Sequence, residues 1–249
     1  MKVSLETLED QLYLGHIHGP CSYLPDRDSS LLFLDGRYVG VMYRLLLDNG
    51  YRRHGLHVYR PDCSDCLECH ILRIDVNDFH LSRNQKRVRR RGSEVFQHTV
   101  ASPSCTPEKL ALYNRYLEFQ HDRTGNERIN ERQYREFFVD SFLGHNTFEL
   151  QLYHAGRLVG VAILDQVAEA LSAVYFYFDP EMARYSPGTY AILLEIEMAQ
   201  QRGLRFFYPG YYIPQCAAMN YKARFRPAQW RRVGEGDWQS LPSSGCSFS

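Results

Sequence analysis

Downstream of Pro107 the apolar positions change period repeatedly, and each change marks an element. Leu110, Tyr113, Tyr116 and Leu117 recur at helical spacing over residues 107–121, behind Thr106 as cap with Pro107 in the first turn. Tyr134, Phe137, Phe138 and Phe142 do the same over residues 131–142, behind Asn130 as cap. Strand-like runs follow: FELQLYH and LVGVAILDQV flank the turn His154-Ala155-Gly156-Arg157, and ALSAVYFYFDP extends the meander with aromatic and β-branched residues. YSPGTYAILLEIEMAQQRG then predicts a long helix capped by Ser186 and stopped at Gly203, and LRFFYPGYYI reads as a buried strand. Upstream, LLFLDG, LHVYR and HILRIDV read as short strands around a helical stretch at residues 39–48 that ends at Asn49-Gly50. ASPSCTP, residues 101–107, breaks the pattern and reads as a linker.

Helix, helix, three-stranded meander, helix, strand is the element order of the N-acetyltransferase-like (GNAT) fold. The expected class is α+β. A GNAT-like mixed sheet with flanking helices is expected at 104–235, preceded by a smaller cysteine-containing α+β domain at 1–100 and followed by a flexible tail at 236–249. Acyl-CoA-using members of that fold cradle pyrophosphate on backbone N–H groups of a glycine-rich turn. The equivalent turn here, Ala183-Arg184-Tyr185-Ser186-Pro187-Gly188-Thr189, has one glycine and a proline that removes an N–H, so the expected acyl donor is not CoA.

With 249 residues, 44% of them hydrophobic, the chain can bury a core without staples. The first twenty residues lack the apolar run of a secretory signal, and the longest aliphatic run, at residues 158–164, is too short to span a bilayer, so a cytoplasmic protein is expected. The formal net charge is zero, which excludes a global field that would attract nucleic acid. Locally the picture differs. From Arg73 to Arg91 seven Lys/Arg face two acids, and Arg83, Lys86, Arg87, Arg90 and Arg91 recur at spacings that put them along one side of a helix, a side suited to phosphates. Three of the seven cysteines, Cys63, Cys66 and Cys69, share one heptapeptide. In a reducing compartment that spacing suits a structural zinc ion or an iron–sulfur cluster better than disulfides, with His70 or His57 as local further ligands, and the alternative is three small residues that bind nothing. Cys105, Cys216 and Cys246 carry no assigned role.

Read together, CSYLP at residues 21–25, Gly50-Tyr51-Arg52-Arg53, Tyr59-Arg60-Pro61 with CSDCLEC, and SRNQKRVRRR resemble the N-terminal region of the aminoacyl-tRNA–protein transferases. SAVYFYFDPE, YSPGTYAILLEIEMA, YPGYYI and Met219-Asn220-Tyr221-Lys222 ahead of Phe225-Arg226-Pro227 resemble the C-terminal region of the same family, so the resemblance runs from about residue 10 to 232. The form resembles the bacterial branch, which moves leucine from its tRNA onto proteins that begin with Asp or Glu and so marks them for degradation in the N-end rule pathway. Leu24 stands where the eukaryotic arginyl branch typically has a second cysteine. The resemblance implies that both cysteine boxes belong to one N-terminal domain, which makes Cys21 the natural fourth ligand beside Cys63, Cys66 and Cys69. It also implies Leu-tRNA as donor, a protein N-terminus as acceptor, and contact between tRNA and the basic stretch. Three alternatives stay open: an arginyl-tRNA transferase, an acyl-CoA N-acyltransferase, and a metal- or redox-sensing RNA-binding protein.

The chemistry so implied needs alignment more than activation, because the aminoacyl ester is already reactive and no cofactor is required. An α-amine of pKa about 7.8 is substantially neutral in the cytosol, so a modest general base suffices. Asp165, at the end of an apolar strand, is expected beside an opening at the sheet centre as that base. Ser172 and Tyr175 lie on the next strand, where alternation puts Tyr175 on one face with Tyr177, placed to donate to a developing oxyanion. An acidic acceptor demands a cation, and Lys222 leads, followed by Arg73 and Arg224. Tyr211, Tyr212 and Met219 are the expected lining of the leucyl pocket.

Overall fold

A computed structural model describes residues 4–121 and 128–241 of the chain. The N-terminal layer opens with α1 (Leu5–Leu12), followed by strands β1 (Tyr13–Pro20) and β2 (Asp28–Asp35), helix α2 (Tyr43–Asp48), and strands β3 (Arg52–His54) and β4 (His57–Pro61). Its sheet runs β1-β2-β4-β3, antiparallel throughout. Leu34, Tyr43, Leu46, Leu47 and Val58 form its core. As the sequence predicts, the helical stretch ends at Asn49-Gly50.

The larger sheet begins earlier than residue 104. It is built from β5 (His70–Asp75), β6 (Gln97–Ala101), β7 (Thr147–His154), β8 (Arg157–Val167), β9 (Ala170–Phe178), β10 (Phe206–Tyr208), β11 (Tyr211–Tyr212), β12 (Gln229–Arg232) and β13 (Glu235–Ser240). The order is β13-β12-β5-β10-β9-β8-β7-β6, with β11 also on β5. β5 is paired with three strands from the far end of the chain, because Leu72 and Ile74 supply apolar side chains that only the large core can bury. The division of the two layers therefore falls between residues 61 and 70, not at residue 100. Residues 236–240, expected as tail, belong to β13, which pairs with β12, while residues 242–249 and Cys246 lie outside the described residues.

The helices in this half are α3 (Arg83–Val95), α4 (Pro107–His121), α5 (Glu131–Tyr134), α6 (Pro187–Gln201) and α7 (Ala217–Asn220). β8 is buried on both faces because helices cover both. Val161 and Ile163 meet Leu112, Tyr113, Leu117 and Phe138 of the α4–α5 side, and Ala162 and Leu164 join the core on the α6 side. Thr106 caps α4, and Asn130 forms a capping box with Gln133. The second predicted helix ends early: α5 widens into a π-type turn over Arg135–Val139, and Asp140 turns extended, short of Phe142. Ser186 precedes α6 with φ +56° and makes no side-chain cap, since a capping hydroxyl needs an extended backbone to reach the first-turn N–H groups. The run LRFFYPGYYI is two strands, broken at Pro209-Gly210, where φ is +94° at Gly210.

Candidate active site

β9 and β10 run parallel and side by side only as far as Ser172 and Tyr208. Beyond that pair β9 continues against β8 alone, while the other chain turns off at Pro209-Gly210 and re-forms as β11 on β5. The two strands diverge, and the polar residues with the most unusual surroundings gather around the divergence.

Among the described residues four cations are buried, and they fall into two kinds. Arg53 donates through Nε to Asp165 at 2.7 Å, with both side chains fully enclosed, and Thr147 Oγ1 donates to the other carboxylate oxygen at 2.7 Å. Lys109 is paired with Glu149. Arg52 and Lys222 have no such counter-ion within ion-pair distance. Arg52 donates to the Tyr51 carbonyl at 3.1 Å, its Nε and Nη2 have no hydrogen-bond partner, and its guanidinium lies 5.7 and 5.4 Å from the ring centres of Tyr208 and Tyr211. Lys222 Nζ donates to the Tyr211 carbonyl at 2.8 Å and touches Met219 Sδ at 3.3 Å. A Cβ at position 210 would stand 3.3 Å from that ammonium, so the left-handed Gly210 also keeps its approach clear.

Glu195, from the buried face of α6, completes the group. It is 1% exposed, and its Oε2 has no partner. Burial pushes its carboxyl up to about 8, against the pull of Lys222. Burial, then the charge of Arg52, brings the Lys222 ammonium down to about 7. An acid and a lysine that both titrate near neutrality, without a direct ion pair, mark a place suited to proton handling. Tyr221 lies near both Glu195 and Tyr116 of α4, and its phenol is raised by burial and then by those two neighbours.

Several sequence-derived site residues sit elsewhere. Asp165, expected beside an opening, is sealed in the sheet centre by Arg53 and Thr147, where neither oxygen meets solvent. Arg73 is occupied: Nε donates to Gln229 at 2.7 Å, Nη1 reaches Asp48 at 3.5 Å, and the guanidinium is wedged between Phe206 and Trp238. Arg224 faces solvent, and its carbonyl accepts from Gln85 of α3. Tyr212 points into the main core, because adjacent strand residues face opposite ways, whereas Tyr211 supports Arg52 and donates its hydroxyl to the Gly50 carbonyl at 2.6 Å. Met219 does lie at the site, beside Lys222. Tyr175 and Tyr177 share a face, packed on Tyr113; Tyr177 is buried and bonded to Tyr134, and Tyr175 is half-buried. Ser172 stands at the last β9–β10 pair with a buried Oγ that has no partner. Arg52 and Glu195 escaped the sequence reading, although Arg52 stood in the Gly50–Arg53 motif and Glu195 was an acid among the apolar positions of LLEIEM.

The basic stretch is the helix its spacing predicts. Ser82 and Gln85 form a capping box at the start of α3, and Arg83, Lys86, Arg87, Arg90 and Arg91 are all exposed. Its inner side is fixed antiparallel to α6. Arg89 makes a two-pronged pair with Glu197 at 2.7 and 2.9 Å, and Gly92 lies on Tyr190 so closely that a Cβ would come within 2.2 Å of the ring. Arg91 covers Tyr185 just before α6 at 4.8 Å. The basic side thus runs from Arg224, next to Lys222, to the start of α6.

Cys21, Cys63, Cys66 and Cys69 are drawn together. Burial, and then the three neighbouring thiols in turn, pushes the Cys69 thiol up to about 12. Cys63 exchanges hydrogen bonds with the backbone of Ser30 at 3.4 and 3.7 Å. Among the described residues no three His, Cys, Asp or Glu side chains are grouped so that they could hold an ion. His70 instead packs against Trp230 at 4.8 Å, and His57 opens β4 at the end opposite to the cysteine segment. No helix is long and apolar enough to cross a membrane among the described residues.

Comparison with known proteins bears on this geometry. An aspartate/glutamate leucyltransferase of Pseudoalteromonas atlantica is 35% identical over 226 residues, which cover 88% of this chain and 96% of that protein. One of Pseudomonas aeruginosa is 38% identical over 212 residues, covering 84% of this chain and 89% of that protein. Among solved structures, the ribosomal-protein-S18-alanine N-acetyltransferase of Escherichia coli aligns with a TM-score of 0.31 at 19% identity, over 43% of this chain and 63% of that one. L-PGS from Bacillus licheniformis aligns with a TM-score of 0.46 at 13% identity, over 72% of this chain and 52% of that one. These last two likenesses are too remote to bear on the site. Residues 19–87 match the profile described as arginine-tRNA-protein transferase, N terminus, and residues 108–232 its C-terminal counterpart. The two profiles in their proper order, with relatives aligned over most of both lengths, show that the chain belongs to the arginine-tRNA–protein transferase family.

Proposed function

We propose that the protein transfers leucine from Leu-tRNA to the α-amine of proteins that begin with Asp or Glu, which creates a degradation signal in the cytoplasm. The neutral amine attacks the ester carbonyl, the new amide forms as the ribose oxygen leaves, and the proton given up by the amine balances the one taken by that oxygen. Glu195, able to exchange a proton near neutral pH, replaces Asp165 as the group assigned to that relay, with Ser172 at the apex of the divergence and Tyr175 toward the developing oxyanion. The exposed side of α3 takes the phosphates of the tRNA acceptor end, recognised by backbone and shape. No cofactor enters this chemistry, because the ester brings the activation with it.

The observation that carries this reading is the excess of buried positive charge beside diverging strands, in a chain whose relatives are named for leucine transfer to acidic residues. An acyl-CoA donor is disfavoured by the turn before α6, where Pro187 offers no N–H and Ser186 is left-handed. The test is transfer of labelled leucine from Leu-tRNA to peptides starting with Asp, Glu or Asn, with Arg-tRNA as competing donor. Labelling of the acidic peptides from Leu-tRNA supports the reading, labelling from Arg-tRNA alone shifts it to arginine, and no labelling from either sinks it.

A further inference from the structure

We propose that Arg52 and Lys222 together form the pocket that receives the side-chain carboxylate of the acceptor's first residue, Arg52 by its planar fork and Lys222 as a point charge. The proposal rests on the transferase reading and specifies the residues that make it selective.

Several observations converge on it. Arg53 and Lys109, the other buried cations among the described residues, each have a carboxylate in contact; these two do not. Arg52 is 5% exposed, yet two of its nitrogens lack any partner, and a buried guanidinium left in that state is costly unless a ligand supplies the missing acceptors. Both cations rest on one residue: the Tyr211 ring lies beside the guanidinium, and the Tyr211 carbonyl takes the ammonium. Glu195, the acid that bears on Lys222, is pushed up to about 8 by burial, so at neutral pH it does little to cancel the charge of Arg52. A carboxylate fits better than a phosphodiester. The fork is enclosed by Tyr208 and Tyr211 and matches two planar oxygens on a short side chain, whereas a sugar–phosphate chain needs an open groove such as the exposed side of α3 offers. The pocket is also composite. Arg52 comes from β3 of the N-terminal sheet, and Tyr208, Tyr211 and Lys222 come from the far end of the chain, so acceptor selection depends on both layers.

The test measures kcat/KM for peptides that begin with Asp and with Asn, using Leu-tRNA and the full-length protein, wild type and Arg52→Gln. Wild type should favour Asp over Asn by about 100-fold, and Arg52→Gln should collapse that ratio by about 10- to 100-fold, chiefly through KM of the Asp peptide. An Asp/Asn ratio left intact in Arg52→Gln overturns the proposal. So does an effect confined to KM for Leu-tRNA and its salt dependence, which would assign the site to a phosphate. Arg52→Lys covers the case in which the glutamine variant does not fold. It keeps charge and length but loses the fork, and should still lower kcat/KM for the Asp peptide about 10-fold, where an unchanged value refutes the proposal. Failure of wild type to label any peptide strikes the transferase reading itself, which separates the two outcomes.

Discussion

Arg52 and Arg53 are neighbours on one three-residue strand, both are buried, and they differ in one respect: Arg53 has Asp165 and Arg52 has no acid. Alternation along β3 sends one into the sealed centre and the other towards the diverging strands. The contrast teaches how to read buried charge. Asp165, with Thr147 on its other oxygen, neutralises Arg53 and holds two layers in register although the Arg53 Nη2 has no partner; Arg52 has two such nitrogens and no acid at all, the state in which a buried cation is costly. Asp165 looked catalytic in the sequence because strand-end acids often are, and the structure gives it a structural partner instead.

The largest expected effect tests the closed pair. Asp165→Ala strands Arg53 and should lower unfolding free energy by roughly 3 kcal/mol or more in urea titration, with any activity loss tracing to loss of folded protein. If the variant is as stable as wild type yet inactive, the division between the two arginines is wrong. Lys222→Met should do the reverse. Leucyl transfer to an Asp peptide is expected to fall roughly 100-fold while the melting temperature holds or rises, because an uncompensated buried charge has been removed. Earlier melting with an intact rate would place Lys222 with the structural cations. A smaller effect lies on α3, where Lys86→Glu with Arg90→Glu should weaken Leu-tRNA binding by about 10-fold and reduce the salt slope by about one for each phosphate no longer neutralised. Equal binding at all salt concentrations would remove α3 from the interface.

A further test lies in pH dependence. Glu195 is raised from 4.5 to about 8 in the folded protein, so its contribution to stability is complete below 4.5 and is lost as pH rises through about 8. Lys222 is depressed from 10.5 to about 7, so its contribution is present above 10.5 and is lost as pH falls through about 7. Wild type should therefore lose stability relative to Glu195→Gln between pH 5 and pH 8 in paired urea titrations. Parallel curves across that range would mean that Glu195 is not held protonated.

Much of this was legible beforehand where the signal is local. The capping residues of α4 and α5, the turn at Ala155-Gly156 and the basic side of α3 follow from short-range chemistry, and the structure places each where the sequence does. Long-range pairing was not legible. Nothing in HILRID says that it joins strands from residues 206–232, so the boundary between layers was misplaced, and residues 236–240 of β13 looked like tail because the strand's partner was unknown. Tyr211 and Tyr212 could not be told apart until β11 had a register, which sends one to Arg52 and the other to the core.

By itself, the sequence determined which residue types were available: a basic helix, a lysine among aromatics, paired arginines and an acid on an apolar helix face. Tertiary structure alone decided which of those charges would meet a counter-ion. Arg53 and Asp165 stand 112 residues apart in the chain, and a side chain's charge, solvation and proton affinity depend on neighbours that folding brings near, not on those that precede it in sequence.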